Sequence, residues 1–260
     1  MAEITDIIDK TKRYYPFTPG EIRGLIITIA AIAFIISFTE WGDESGVNIS
    51  LGLVNFGIAL LIAGFSFLFH LSAQRITSLY AGLRSEYKPW TFGLIIGVII
   101  AFLTNGKAWV ILPGGIILHH LAGHRIGWWR YDIAYVTIGI LSMWGSVASV
   151  FLAMALKLVN GFVHSPIIDK MILVNVAIAI YTMLPIPALN GGKMFYGSRM
   201  IYAFTASFVF AASALMLVPI NPWLSIAASI IIAIIFWLMY YIYFERAAWQ
   251  GPSANMKSGK

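Results

Sequence analysis

The chain has 260 residues, of which 60% are hydrophobic and 11% charged, and its formal net charge is +6. Soluble globular domains contain roughly 45–50% apolar and about 25% charged residues, so much of this apolar surface must face something other than water. The absence of cysteine excludes disulfides and thiolate metal ligands. The basic residues flank apolar runs, where lysine and arginine set membrane orientation, so they do not indicate nucleic-acid binding.

The first 21 residues are too polar for a signal peptide, and the apolar run after them is too long to be the core of one. We predict that 1–21 is a cytoplasmic segment. Thr18 and Pro19, followed by Glu21 in the opening turn, are typical of a helix start. The first membrane helix is therefore expected to begin here and to stay as an anchor.

Six segments have the composition of membrane-spanning helices. A spanning helix needs about 20 mostly apolar residues. The segments that come close to this are 22–39, 51–70, 133–156, 171–187, 200–218 and 223–244. We therefore predict an all-α polytopic membrane protein with about six transmembrane helices, one membrane domain over 1–260 and a cytoplasmic tail over 245–260.

The segment 92–118 is apolar but interrupted. FGLIIGVIIAFL is stopped by TNGK, and AWVILPGGIIL is then broken by proline and glycine, so that each half is too short to span. We predict a re-entrant hydrophobic hairpin. Backbone groups at membrane depth must find partners inside the protein, so the hairpin is expected to pack against the bundle core.

The distribution of basic residues predicts the orientation. With the N-terminus inside, only Lys157 and Lys170 fall on the outer side, and the other 15 of the 17 lysines and arginines fall on the inner side. This asymmetry favours cytoplasmic positions for both termini. It also requires 92–118 to enter and leave from the same side.

The segment TMLPIPALNGGKMF follows the fourth predicted span. Pro185 and Pro187 break the helix, and Gly191 and Gly192 allow another chain to approach closely. Asn190 lies between them, and polar side chains at membrane depth are costly and often functional. The plainer interpretation is a helix end with a polar cap.

Two further polar residues lie at the end of the second predicted span. His70 and Gln74 are four residues apart and therefore share one helical face. His70 could bind a metal or form a hydrogen bond inside the bundle. A single histidine more often serves as a core residue whose hydrogen bonds are satisfied.

Together these segments resemble the motifs of the site-2 proteases, which are intramembrane zinc metalloproteases. That family carries HExxH on one membrane helix and an LPIPxLDGG stretch at the end of a later one. This chain has HLSAQ at 70–74 and LPIPALNGG at 184–192. The residues from Arg75 to YAG at 80–82, and the apolar hairpin, are similar to the archaeal branch. The resemblance covers about 20–200 and implies a site-2-protease-like core in the plasma membrane of a prokaryote.

The resemblance also implies roles for individual positions, and most of these residues are changed. In the family, two histidines and an aspartate hold zinc, and the glutamate activates water. Here His70 remains, whereas Leu71, Gln74 and Asn190 replace the glutamate, the second histidine and the aspartate. A catalytic zinc normally has three good protein ligands, and leucine cannot take a proton from water. We expect no catalytic residue and no bound zinc, with His70 as the one remaining ligand.

Two further family motifs are also altered. The positions of GPxxN fall at Gly145, Ser146 and Ser149, and the asparagine before LLP falls at Thr182. Changes at several functional positions together indicate relaxed demand for catalysis.

The stretch HHLAGH offers another set of possible metal ligands. If it is helical, His120 and His124 have i, i+4 spacing and could share a metal with His119 nearby. No carboxylate lies between them, so histidines at the membrane interface are the plainer interpretation. Trp128, Trp129 and Tyr131 suit the headgroup region.

Three functions follow from these observations. The first is a catalytically inactive site-2-protease-like protein, whose groove at Pro185, Pro187, Asn190, Gly191 and Gly192 binds transmembrane segments of partner proteins in the lipid bilayer. The second is an active intramembrane zinc metallopeptidase with an atypical site. The third is a small transporter or channel, which the scarcity of ionisable residues in the spans does not favour.

Overall fold

The computed structural model of the chain describes residues 2–43, 46–121, 133–218 and 221–245. Its α-helices are α1 (Ala2–Tyr14), α2 (Pro19–Ser37), α3 (Ile49–Tyr80), α4 (Thr91–Leu103), α5 (Tyr135–Val163), α6 (Pro166–Thr182), α7 (Asn190–Gly197), α8 (Arg199–Leu217) and α9 (Pro222–Tyr240). Two antiparallel strand pairs are present, β1 (Gly42–Asp43) with β2 (Gly46–Val47) and β3 (Leu83–Pro89) with β4 (Gly114–His120). Most of the predicted tail, 246–260, lies outside the described residues.

Five helices are long and apolar enough to cross a membrane, namely α2, α3, α5, α8 and α9. This confirms the prediction of a mainly helical polytopic membrane protein. The fourth predicted span was placed too far along the chain, because α6 is Pro166–Thr182 rather than 171–187 and has only 17 residues. Proline disfavours helical geometry at the residue before it, so LPIP ends the helix early. At the other end, Pro166 occupies the first turn, where its missing N–H costs nothing.

Helix α6 is short but central to the packing. Val174 and Ile178 belong to a buried cluster with α2 and α3, whereas Val176 and Ala179 belong to a second cluster with α5 and α8. All four side chains are at most 4% exposed. Because α6 is covered on both sides by other helices, it holds the two halves of the bundle together.

Helix α2 begins where the sequence predicts. The Thr18 hydroxyl accepts a hydrogen bond from the Glu21 N–H at 3.3 Å, and the Glu21 carboxylate accepts one from the Thr18 N–H at 2.8 Å. This reciprocal capping box satisfies two N–H groups that the helix itself cannot pair. The helix start at Thr18 and Pro19 is confirmed.

Helix α3 has 32 residues and extends ten residues beyond the predicted end of the second span. His70 and Gln74 therefore lie within the helix, not at its end. The extension contains ITSLY, in which only Tyr80 and Ile76 are strongly exposed, so packing of the opposite face continues the helix. Ala81 and the positive φ of Gly82 then end it.

The interrupted segment 92–118 folds back on itself, but it is not a pair of short apolar helices. Its first arm is α4, and its second arm leads into β4, which pairs with β3 in the register Tyr87 to Ile116. The Trp90 N–H donates to the Pro113 carbonyl at 3.0 Å, so the two ends of the loop lie side by side. The sheet was missed by the all-helical prediction because two short strands without clear alternation carry little signal.

A buried ion pair joins β3 to the helices. Arg75 of α3 pairs with Glu21 of α2, and both side chains are at most 3% exposed. The same Glu21 oxygen accepts the Tyr87 N–H at 2.9 Å, and Arg75 also donates to the Ser85 carbonyl at 3.0 Å. The guanidinium lies 4.2 Å from the centre of the Phe17 ring. This network fixes the strand pair against α2 and α3.

Lys157 and Lys170 both donate hydrogen bonds to groups at or just beyond the ends of other helices. The Lys157 ammonium donates to the carbonyls of Leu215, Met216 and Val218 at 2.8–3.1 Å, where α8 has no further N–H groups to pair with them. Lys170 donates to the Glu40 carboxylate at 2.6 Å, just after α2. The outer location predicted for both lysines stays a prediction.

We expect Glu21→Gln to lower the free energy of unfolding by about 3–5 kcal/mol, because it leaves the Arg75 charge buried without its counter-ion. The measurement is an unfolding titration with SDS in mixed micelles. Asp9→Asn, which breaks the exposed Asp9–Arg13 pair, is the control and should change nothing measurable. Equal effects of the two variants would contradict the structural role of the buried pair.

Candidate functional site

One face of α3 carries a line of polar side chains through the bundle. Ser66, His70, Gln74 and Ser78 follow one another at intervals of four, and each is at most 1% exposed. This spacing keeps them on a single helical face. Since polar groups at this depth require partners, the neighbouring helices must supply hydrogen bonds.

Helix α5 supplies partners for His70 and Gln74. The His70 Nδ1 lies 3.0 Å from the Ser149 hydroxyl. The Gln74 amide donates through Nε2 to the Ser142 carbonyl at 2.9 Å. Both side chains that the sequence singled out on α3 are therefore bonded to the same helix.

The close contact between α3 and α5 depends on Gly145. A Cβ atom at this position would lie 2.5 Å from both His70 Nε2 and Gln74 Nε2, closer than side-chain carbons approach such atoms. The absence of a side chain therefore allows the backbone of α5 to lie directly against the two polar groups.

Helix α6 completes this polar region. The Ser146 hydroxyl lies 2.8 Å from Thr182 Oγ1, and Thr182 itself donates to the Ile178 carbonyl at 2.6 Å. Further along, Asn175 donates to the Ser66 hydroxyl at 2.9 Å. We use the term polar seam for the buried side chains of these three helices: Ser66, His70, Gln74, Ser142, Ser146, Ser149, Asn175 and Thr182.

Asn190 begins α7 and bonds to the sheet. Its Oδ1 accepts the Ile116 N–H at 3.2 Å, and the ammonium of Lys193, one turn later, donates to the Ile116 carbonyl. The side chains of Asn190 and Lys193 thus bond to both backbone polar groups of Ile116, on the edge of β4 that faces away from β3. Asn190 is 1% exposed, so this contact is internal.

Leu71 is part of the hydrophobic core. It is 4% exposed and belongs to the same buried cluster as Phe67, Ile116 and Ile178. Its side chain is held by apolar contacts and presents no atom that can accept a proton.

Comparison with known proteins provides one relative. The chain is similar to the following protein over most of its length. That protein, from Methanocaldococcus jannaschii, is named "Putative zinc metalloprotease MJ0611". The two are 27% identical over 191 residues, which cover 73% of this chain and 90% of the relative. No family model matches the chain, and no solved structure matches it.

The side chains of the seam do not fit a zinc ion. Zinc sites in proteins are built from histidine, cysteine and carboxylate ligands. Within the described part of the chain, no group of three or more such residues is placed to hold a metal, and His70 is the single imidazole of the polar seam. Gln74 Oε1 and Ser142 Oγ are buried without a hydrogen-bond partner among the described residues, but both are weak, neutral ligands.

The residues expected to form a partner groove do not share one surface. Pro185 and Pro187 are exposed, whereas Asn190, Gly191 and Gly192 are buried. A Cβ on either glycine would lie 2.2 Å from a carbonyl oxygen of the preceding turn, so these glycines allow the chain to pack against itself. The groove itself stays a prediction.

The possible metal ligands of HHLAGH are not arranged as the helical hypothesis requires. His119 and His120 lie in β4, where successive side chains point to opposite faces. His119 Nε2 lies 3.5 Å from a carboxylate oxygen of Glu86 across the strand pair. His124 lies outside the described residues, as do Trp128, Trp129 and Tyr131.

Sequence reasoning found His70 and Gln74 of α3, but it did not find Ser66, Asn175 or the contacts with the neighbouring helices. Ser149 and Thr182 were identified only as altered motif positions, and their contacts with His70 and Ser146 bring these positions into the seam. Ser142 and Lys193 were not identified. The i, i+4, i+7 spacing of serines at 142, 146 and 149 was a usable signal for a shared face.

We expect Gly145→Ala to lower the melting temperature in detergent, because the added methyl group collides with His70 and Gln74, and overpacking of this kind costs about 1–3 kcal/mol. Gly161→Ala is the matched control on the same helix, since nothing lies within 4 Å of a Cβ there. It should leave the melting temperature unchanged or raise it. A Gly145 variant as stable as the Gly161 variant would contradict the close contact.

Lys193 gives the molecule a pH-dependent contribution to stability. Burial, and next the nearby Lys88, lower the pKa of Lys193 from 10.5 to about 8. Between these two values the unfolded chain binds more protons than the folded one, so this group makes stability rise with pH. We expect Lys193→Met to flatten the rise in melting temperature between pH 8 and 10.5. Lys12→Met, at an exposed site, is the control, and an unchanged slope in the Lys193 variant would contradict the assignment.

Proposed function

We propose that this chain is a site-2-protease-like membrane protein that does not hydrolyse peptide bonds and that binds transmembrane segments of partner proteins. The observation that carries the proposal is the burial of Leu71 in the hydrophobic core at the position where the resemblance expects the general base. Hydrolysis by a metallopeptidase needs a group that takes a proton from water, and leucine has none.

The hydrogen bonds of the seam support the same conclusion. His70 is engaged with Ser149, and Gln74 is engaged with Ser142. A metal ligand must offer a free lone pair, and a water molecule must be able to reach the metal. The bonds through His70 Nδ1 and Gln74 Nε2 join α3 to α5, and the buried groups left unpaired, Gln74 Oε1 and Ser142 Oγ, are weak, neutral ligands.

Binding of an extended partner segment is supported by the sheet. Backbone groups of successive residues in an antiparallel strand point to opposite edges, so those of every second residue share an edge. Because the N–H and C=O of Ile116 both point away from β3, those of Leu118 and His120 point to the same outer edge. Main-chain groups at a strand edge can pair with an added extended peptide.

An active metallopeptidase is the second candidate, and one finding favours it. The relative from Methanocaldococcus jannaschii carries the name "Putative zinc metalloprotease MJ0611", and the similarity covers 90% of its length. The unpaired Gln74 Oε1 beside His70 is the feature of this chain that such a site would use. Metal content and cleavage together separate the two candidates.

We expect the protein, purified from membranes and exposed to zinc, to retain far less than one zinc per chain, because a single imidazole holds zinc weakly. Zinc is measured by inductively coupled plasma mass spectrometry, and cleavage is measured on a transmembrane reporter with and without chelator. Stoichiometric zinc, with cleavage that both chelator and His70→Ala abolish, would overturn the proposal in favour of the active enzyme.

A restored variant tests whether the altered positions belong to one site. The triple change Leu71→Glu, Gln74→His and Asn190→Asp reinstates the zinc ligands and the general base that the resemblance implies, and we expect it to bind zinc in a one-to-one ratio. Adding His70→Ala to the triple variant is the control and should remove that zinc. A triple variant that is folded, as judged by size-exclusion chromatography, but free of zinc would show that these positions do not form one site.

A further inference from the structure

A small basic cleft lies where α3 ends and β3 begins. Two adjoining cavities, of about 330 Å³ and 260 Å³, share His120 and Leu121 as lining residues. The first is also lined by Lys10 and by 80–82, at the end of a membrane-spanning helix. The cleft therefore lies near one end of the spans, away from the polar seam.

Arg84 forms no ion pair with a described acidic side chain, although Glu86 also lines the 260 Å³ cavity. Lys10 pairs with Asp6 at 2.6 Å, and Glu86 lies 3.5 Å from His119. No described acidic side chain forms an ion pair with Arg84, and its Nε is buried without a hydrogen-bond partner among the described residues. A buried donor with no acceptor is costly and indicates a missing water or ion.

The strand pairing brings more hydrogen-bond donors to the same place. Arg84 is directly opposite His119 in the register of β3 and β4, so their side chains stand on one face of the sheet. Both line the 260 Å³ cavity together with His120. A guanidinium and an imidazole on one face of the sheet, beside a cavity of this size, suit a group with several acceptor oxygens.

We propose that this cleft binds a phosphate group, with Arg84 as the principal contact. Arginine presents a planar fork that matches phosphate oxygens, and its Nε is one arm of that fork. A phosphate group at the end of a membrane span is available from anionic phospholipid headgroups. Free phosphate offers the same chemistry, so the experiment distinguishes the two sources. The proposal does not depend on the proposed function.

The test uses the full chain in detergent, exchanged against equimolar phosphatidylglycerol and phosphatidylcholine, with retained lipid counted by native mass spectrometry. We expect phosphatidylglycerol to be retained in preference, and Arg84→Gln to reduce its retention about tenfold, as expected for a lost charge-assisted contact. Arg23→Gln is the control, because it removes an exposed arginine that lines neither cavity and should retain lipid like the unchanged protein.

Two further arms complete the experiment. Excess inorganic phosphate that displaces phosphatidylglycerol would identify soluble phosphate as a ligand of the cleft, whereas retention despite phosphate would identify the lipid headgroup. Arg84→Lys keeps the charge but loses the fork, so it should lose less phosphatidylglycerol than Arg84→Gln. It also provides the test if Arg84→Gln does not elute as a folded protein. Retention unchanged in both Arg84 variants, or lowered equally in Arg23→Gln, would overturn the proposal.

Discussion

The buried ion pair between Arg75 and Glu21 fixes the strand pair, and with it the sheet side of the candidate site, against α2 and α3. Glu21 closes the start of α2, Arg75 follows the polar face of α3, and both bond to the backbone of β3. A charge at this depth is tolerated only when it is paired and its remaining hydrogen bonds are satisfied. Because the ion pair fixes β3, the pairing of β4 with β3 fixes β4 as well. Helix α7 can then bond to the outer edge of β4.

The polar seam joins α3, α5 and α6 through hydrogen bonds between buried, uncharged side chains and backbone groups. Ser149, Ser146 and Thr182 are altered relative to the family motifs, yet they lie in contact with His70 or with one another. In a bilayer each polar group must be paired within the protein. Neutral amide and hydroxyl groups at these positions can pair with each other and stabilise the contacts between the helices. The similarity to the relative from Methanocaldococcus jannaschii supports a comparison of this chain with metalloproteases. The burial of Leu71 is the reason why we propose a function without hydrolysis.

Several features could be predicted from the sequence because they are local. The capping box at Thr18 needs only residues three apart, and the shared face of His70 and Gln74 needs only a helical period. The break at Pro185 was recognised, but α6 was extended through it because hydropathy does not register the steric effect of proline on the residue before it. The strand pair was not predicted, since Tyr87 and Ile116 are 29 positions apart and pair through backbone atoms that any sequence provides.

The sequence alone determined that the chain is rich in helices apolar enough for a membrane, and that Leu71, Gln74 and Asn190 offer neither a general base nor a strong zinc ligand, because hydropathy and side-chain chemistry are properties of the residues themselves. Tertiary structure decided which groups those residues bond to. His70 meets a serine 79 positions away, Asn190 meets the backbone of a strand 74 positions away, and Arg84 faces a cleft formed with His119 of another strand. Such partners follow from how helices and strands pack in three dimensions, and no local pattern along the chain encodes them.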